Sequence, residues 1–223
     1  MDVNEITLQS INSSLKQLTT VSQNVANVNT AGYLSGVSFS EKISNGNIIN
    51  KASISLNNAP IKETHRSLDV AILGDGFFEI NKNEQKFLSK NGHFYIDSEQ
   101  YLTHSSGGFV MGENGRITAK NPIITTTGDV VVNGVVIDKI KIVTFDKNSP
   151  LERIGKNLYQ TTALKKTVEN AQLKSGSLNS SNVESSDEMV KMIEISRHIQ
   201  TSQKVINAYD QLLNVGINEL GKR

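Results

Sequence analysis

The residues from Val183 to Leu220 limit what this chain can fold into more than any other stretch. From Met192 a 3-then-4 spacing picks out Met192, Ile195, Ile199, Ser202, Ile206, Tyr209, Leu213, Gly216 and Leu220. Only Ser202 and Gly216 lack a large apolar side chain, and Lys, Glu, Gln, Asn and Ser fill the gaps. A narrow apolar seam of that period marks a helix that pairs with another helix, not one sunk in a core. Ser185 and Glu188 stand as a capping box, and Asp187 adds a carboxylate where the helix dipole favours one. At ~1.5 Å per residue the helix is on the order of 50 Å long, too long for a compact domain. It requires a partner.

A second helical pattern runs from about Asp2 to Asn29, with Leu8, Ile11, Leu15, Leu18 and Val25 on the stagger and Val21 and Val28 at its edge. Ser, Thr, Asn and Gln lie between them, residues whose side chains compete for the backbone and weaken an isolated helix. Its stability must come from packing. The pattern stops before Gly32, a residue suited to the left-handed position after a helix end. The simplest inference is that the two terminal helices are each other's partners.

Between them the period changes. Residues 33–66 have no clear repeat and read as an extended connector. From Leu68 short strand-like runs follow, such as Val70–Leu73, Phe77–Ile80, Tyr101–His104 and Ile140–Phe145. They are punctuated by Asn91-Gly92, Asn114-Gly115 and Asn133-Gly134, dipeptides suited to tight hairpins. The expected fold is α+β: residues 1–32 and 183–223 paired as a coiled-coil stalk, with an antiparallel all-β body over 67–146. Residues 147–182 form a return segment to the last helix.

Composition narrows the chemistry. A net charge of +1 gives no reason to expect nucleic acid, and no apolar run is long enough for membrane insertion. There is no cysteine and no tryptophan, so disulfides, thiolate metal sites and thiol nucleophiles are excluded. No cleavable secretory signal is visible at the N-terminus. His93 and His104 fall in neighbouring strands without an acidic partner at ligand spacing, so solvated strand histidines are expected. Gly74-Asp75-Gly76 precedes a strand, not a helix, and lacks the Lys-Ser/Thr of a phosphate loop, so it reads as a turn. No catalytic, cofactor or metal residues emerge. An enzyme is disfavoured, and a secreted binding module remains as a rival class.

Several segments carry a resemblance. Asn24-Val-Ala-Asn-Val-Asn-Thr-Ala-Gly-Tyr33 is similar to the N-L-A-N-x-x-T-x-G-[FY] signature of the flagellar rod and hook proteins. Asn24, Ala26, Asn27, Thr30, Gly32 and Tyr33 stand at the matching positions. Leu68-Asp-Val-Ala-Ile-Leu-Gly-Asp-Gly-Phe-Phe78 resembles that family's L-D-V-A-I-x-G-x-G-F-F motif, through Leu68, Asp69, Val70, Ala71, Gly74, Gly76, Phe77 and Phe78. Phe87–Phe94, Gly155–Tyr159, Ser175–Val183 and Glu188–Ile193 fall where later landmarks of the family lie. Leu34 departs from it, standing where a basic residue commonly follows the aromatic.

The resemblance implies an axial component of the bacterial flagellum, with paired terminal helices that fold fully on assembly. Its partners would be copies of itself, neighbouring rod proteins and the flagellar type III export apparatus. It would sit in the basal-body rod, within the periplasmic space, and need no cofactor. The short connector before Leu68 favours the proximal rod position over the distal rod, or a hook-type protein.

Overall fold

Both terminal stretches are helical. In the computed structural model α1 spans Val3–Ala26 and α2 spans Ser185–Leu220. The structure describes residues 3–42 and 48–220, and their side chains over 4–39 and 52–215. The seam residue Leu220 and the side of α2 around Gly216 lie outside the described side chains. The threonines and serines that weaken these helices turn back on them: Thr19 and Thr20 donate to the carbonyls of Leu15 and Lys16, and Ser196 to that of Met192. α1 ends short of Asn29, because Thr30 donates its amide to the Asn27 carbonyl and closes a turn instead.

The chain divides into two compact units. One comprises residues 1–26, 36–52 and 184–223; the other comprises 27–35 and 53–183. The first unit holds the two helices and the strand Gly36–Lys42, which pairs with Ile48–Ile54. α1 and α2 run antiparallel. Asn24 meets Glu188 and Ser14 meets His198, so ten residues back along α1 match ten residues forward along α2.

The second unit is antiparallel β. Its largest sheet runs in the order Glu152–Gly155, Leu158–Gln160, Gln85–Ser89, Phe77–Lys82, Phe109–Val110, Leu102–His104 and Phe94–Ile96. Ile142–Thr144 pairs with both Phe77–Lys82 and Lys166–Thr167. The strand Phe77–Lys82 is buried on both faces, which explains the adjacent phenylalanines. Successive side chains point to opposite faces. Phe78 packs edge-on against Phe94 at 4.9 Å in one core, while Phe77 stacks on Phe145 at 5.4 Å in the other.

Three features differ from the sequence expectation. Residues 147–182 do more than return to the last helix: Gln172–Ser175 pairs with Val70–Leu73, and Ser177–Asn179 with Ile61–Glu63. Asn133-Gly134 makes its hairpin, with φ of 52° and 83°, but Asn91-Gly92 does not. Gly92 lies where a Cβ would fall 1.8 Å from the Val70 carbonyl oxygen, so glycine there serves close approach instead of a turn. His104 is not solvated. It is fully buried, with Ser106 Oγ 2.7 Å from Nδ1 and Ser89 Oγ 3.3 Å from Nε2. His93 faces the buried carboxylate of Asp69 at 2.8 Å.

Burial lowers the His104 pKa to about 4. In the unfolded chain the ring takes a proton below about pH 6.5; in the folded body it stays neutral until about pH 4. Stability is therefore complete above 6.5 and is lost as pH falls through this window, by about 3 kcal/mol. Urea denaturation at pH 7 and 4.5 should show this loss in the native chain and a much smaller one in His104→Gln.

Candidate assembly site

The seam of α2 is half-buried where its spacing requires: Met192, Ile195, Ile199, Ser202, Ile206 and Tyr209 are sheltered, and most residues between them are exposed. α1 meets it with a different face. The buried residues of α1 are Ser13, Ser14, Val21 and Asn24. Ser10, Ser14 and Gln17 line a cavity of about 450 Å³ whose other wall is Glu194, Ile195 and His198. The expected stripe of Leu8, Ile11, Leu15, Leu18 and Val25 lies one residue further round, about 100° at 3.6 residues per turn. Ile11, Leu18 and Val25 are half-buried, while Leu8 is 53% and Leu15 46% exposed.

The physical reason is that the α2 face carries a buried carboxylate, Glu188, that needs a polar partner. Glu188 is not a helix cap. Its amide already donates to the Glu184 carbonyl, which puts Ser185 inside the helix. Its buried carboxylate instead accepts from Asn24 Nδ2 at 2.9 Å and from Lys191 Nζ at 2.7 Å. Asn24 is 1% exposed and also clasps Gly36, donating to its carbonyl and accepting from its amide, each at 2.8 Å. His198 Nδ1 lies 3.1 Å from Ser14 Oγ.

This pairing leaves apolar surface uncovered on both helices. Ile6, Leu8 and Leu15 are open on α1, and Met189, Val190, Ile193 and Val205 on α2. The alignment places Val3 level with Tyr209, so the last turns of α2 run past the described start of α1. Leu212 at 71% exposure, Leu213 and Val215 stand open there.

In the second unit, the residues that follow α1 are held as firmly as a core strand. Gly32 adopts φ +69°, donates to the Asn179 carbonyl at 2.7 Å and packs so close to Asn91 that a Cβ would lie 2.3 Å from its backbone nitrogen. Thr30 bonds the Asn27 side chain at 3.1 Å; Ala26 is exposed. Tyr33 is buried beneath the Arg153 guanidinium at 4.4 Å. Leu34 is part of the core, so the departure there is an apolar packing residue. Its amide donates to Tyr159 Oη at 2.9 Å and its carbonyl accepts from Arg153 at 2.5 Å. Asn157 Nδ2 donates to the Ala31 carbonyl. Asn182 accepts from the Ser35 amide and donates to the carbonyls of Ser55 and Asn57.

The second motif supplies the platform. Val70 and Ile72 enter the core beside Leu68, and Ala71 is fully buried. Asn179 brackets Ile72, bonding its amide and its carbonyl. The Asp69 carboxylate is held by Arg66 and His93, and Arg66 also donates to the Phe94 carbonyl. Gly74 and Gly76 take positive φ, and a Cβ on Gly76 would press on Ile142 at 2.7 Å. Lys90, nearly buried, donates to the Gly74 carbonyl, and burial lowers its pKa to about 8.

Sequence reasoning passed over Arg153, Asn157, Tyr159, Asn179, Asn182 and the true role of Glu188. Asn157, Tyr159, Asn179 and Asn182 fall within the landmark stretches Gly155–Tyr159 and Ser175–Val183, whereas nothing in those stretches points to Arg153. Among the described residues no three potential metal ligands come together.

Comparison with known proteins decides the family. Residues 71–148 match the flagellar hook protein FlgE/F/G D1 domain, and residues 174–220 match the flagellar basal body rod FlgEFG protein C-terminal family. The flagellar basal-body rod protein FlgG of Bacillus subtilis is 31% identical over 218 residues, covering 89% of this chain and 82% of the relative. The chain belongs to the flagellar rod and hook protein family. The rod protein FlgF of Caulobacter vibrioides is 29% identical, over 73% of this chain and 69% of its own. FlgF of Buchnera aphidicola subsp. Baizongia pistaciae is 29% identical over 92% of both chains. The flagellar hook protein FlgE of Rhizobium meliloti matches over 46% of this chain and 28% of its own. The chain is thus a structural component of the flagellar rod.

Arg153→Ala should free the signature segment from the body. Losing a charge-assisted hydrogen bond and the ring contact costs about 2–3 kcal/mol. The Leu34 amide should exchange with solvent on the order of 30-fold faster or more, while amides of the strand Phe77–Lys82 keep their protection.

Proposed function

We propose that this chain is a non-enzymatic subunit of the flagellar basal-body rod and that it assembles through the apolar stripes its own helix pair leaves uncovered. The observation that carries this reading is the exposure of Leu8 and Leu15 on α1 together with Leu212, Leu213 and Val215 on α2. Apolar surface of this extent along helices calls for further helices. Such helices would come from other copies and from neighbouring rod proteins. A contact between unlike faces does not close on itself, so repetition gives a tubular stack.

The rest follows the same reading. Ordering of the helices would be completed on assembly, at a cost in affinity that discourages premature polymerisation. Delivery would be by the flagellar export apparatus without cleavage of a signal, to a rod spanning the periplasm. No helix among the described residues is long and apolar enough to cross a membrane. The shortness of the connector over 33–66 supports a proximal position in the rod.

Leu8→Asp and Leu213→Asp test the assembly role. Each carboxylate would be buried without a partner in the assembled rod, costing several kcal/mol per contact. Both variants should abolish motility and disappear from purified basal bodies while the β unit melts as in the native chain. Normal incorporation of both would remove the stripes from the mechanism. Native chain retained in basal bodies lacking the distal rod protein would support the proximal position, and its loss would contradict it.

A further inference from the structure

The apolar seam does not by itself fix how the two helices align. α1 has 24 residues and α2 has 36, and the half-buried positions of α2 recur at heptad spacing. Shifted one heptad towards the end of α2, α1 would still lie wholly along it and meet a seam of the same period. Val3, now level with Tyr209, would come level with Gly216. Within one chain the short links to the β unit restrict such a shift. Between copies nothing covalent does.

Polar side chains tell the registers apart. Asn24 is fully engaged, with Nδ2 donating to both Glu188 and Gly36 and Oδ1 accepting from the Gly36 amide. A reversed carboxamide would set its oxygen against the Glu188 carboxylate, so its orientation is fixed. After a one-heptad shift Asn24 would face Ile195, and Glu188 would lose the Asn24 donor and keep only Lys191 of its own helix, leaving one carboxylate oxygen unpaired near an apolar seam. Buried polar groups of this kind select one alignment by making the others unfavourable.

We propose that the Asn24–Glu188 contact is the register determinant of the helix pair. It rejects slipped pairings, including those between copies, while the apolar stripes supply attraction without selecting an alignment. Asn24 thereby couples the helix alignment to the strand Gly36–Lys42, because the same carboxamide holds both. The inference concerns pairing and not polymer growth, so it stands or falls separately from the assembly role.

The chain has no cysteine, so introduced pairs report alignment cleanly. Full-length chains carrying Ser14→Cys mixed with chains carrying His198→Cys read the native register between copies, where no covalent link restricts it, and the same chains mixed with ones carrying Val205→Cys read the one-heptad slip. In the full-length native background and in Glu188→Gln, which keeps an acceptor for Asn24, the slipped pair should oxidise at least about tenfold less than the native pair, as a strong hydrogen bond requires. In Asn24→Leu/Glu188→Leu the two pairs should oxidise to comparable extents, with helical circular dichroism retained. A slipped pair still suppressed tenfold in that variant would overturn the proposal. Loss of the helical signal would overturn it too, since the contact would then supply the pairing itself and not its alignment.

Discussion

The structure rests on a mismatch: the terminal helices carry more apolar surface than one chain can cover. α2 is half again as long as α1, and α1 turns a largely polar face towards it. Burying Leu8 and Leu15 would stabilise the chain by about 1.5–3 kcal/mol for each leucine side chain. The chain forgoes this because the facing side of α2 presents the buried carboxylate of Glu188, which requires a polar partner. The uncovered stripes are the surface available to other helices.

The β unit serves that arrangement by anchoring the segments that lead to and from the helices. Residues 31–35 are gripped by Arg153, Asn157, Tyr159 and Asn179, while Asn182 ties Ser35 to the strand-like stretch at Ser55–Asn57. All but the backbone bond from Gly32 to Asn179 join a side chain to a backbone group, a directional linkage that resists sliding more than apolar contact does. The signature residues Gly32 and Tyr33 are the points where that grip is tightest.

Much of the architecture was legible because it follows period. The 3-4 stagger located both helices, and alternation with turn dipeptides located most strands. What escaped notice is polar. Glu188 stood at a capping distance from Ser185 and read as a cap, yet the helix begins a residue earlier than that role requires. Asn24 read as part of a signature without a physical task. Hydrophobic periodicity placed the contact face of α1 about 100° from where it lies, because it counts leucines and cannot weigh serines that admit a close neighbour. His104 has Ser106 two residues away, but Ser89 and Phe94, which complete its enclosure, come from other strands. Asn91-Gly92 carried a hairpin's residues for another reason, the approach of the Val70 backbone.

The α1 stripe is open in the free subunit and, in the proposed assembly, closed in the rod. A single cysteine in place of Leu8 measures this directly, in a chain that has no other thiol. Labelling by a water-soluble maleimide should be rapid in the purified monomer and strongly suppressed in isolated basal bodies. Equal labelling in the two states would contradict it.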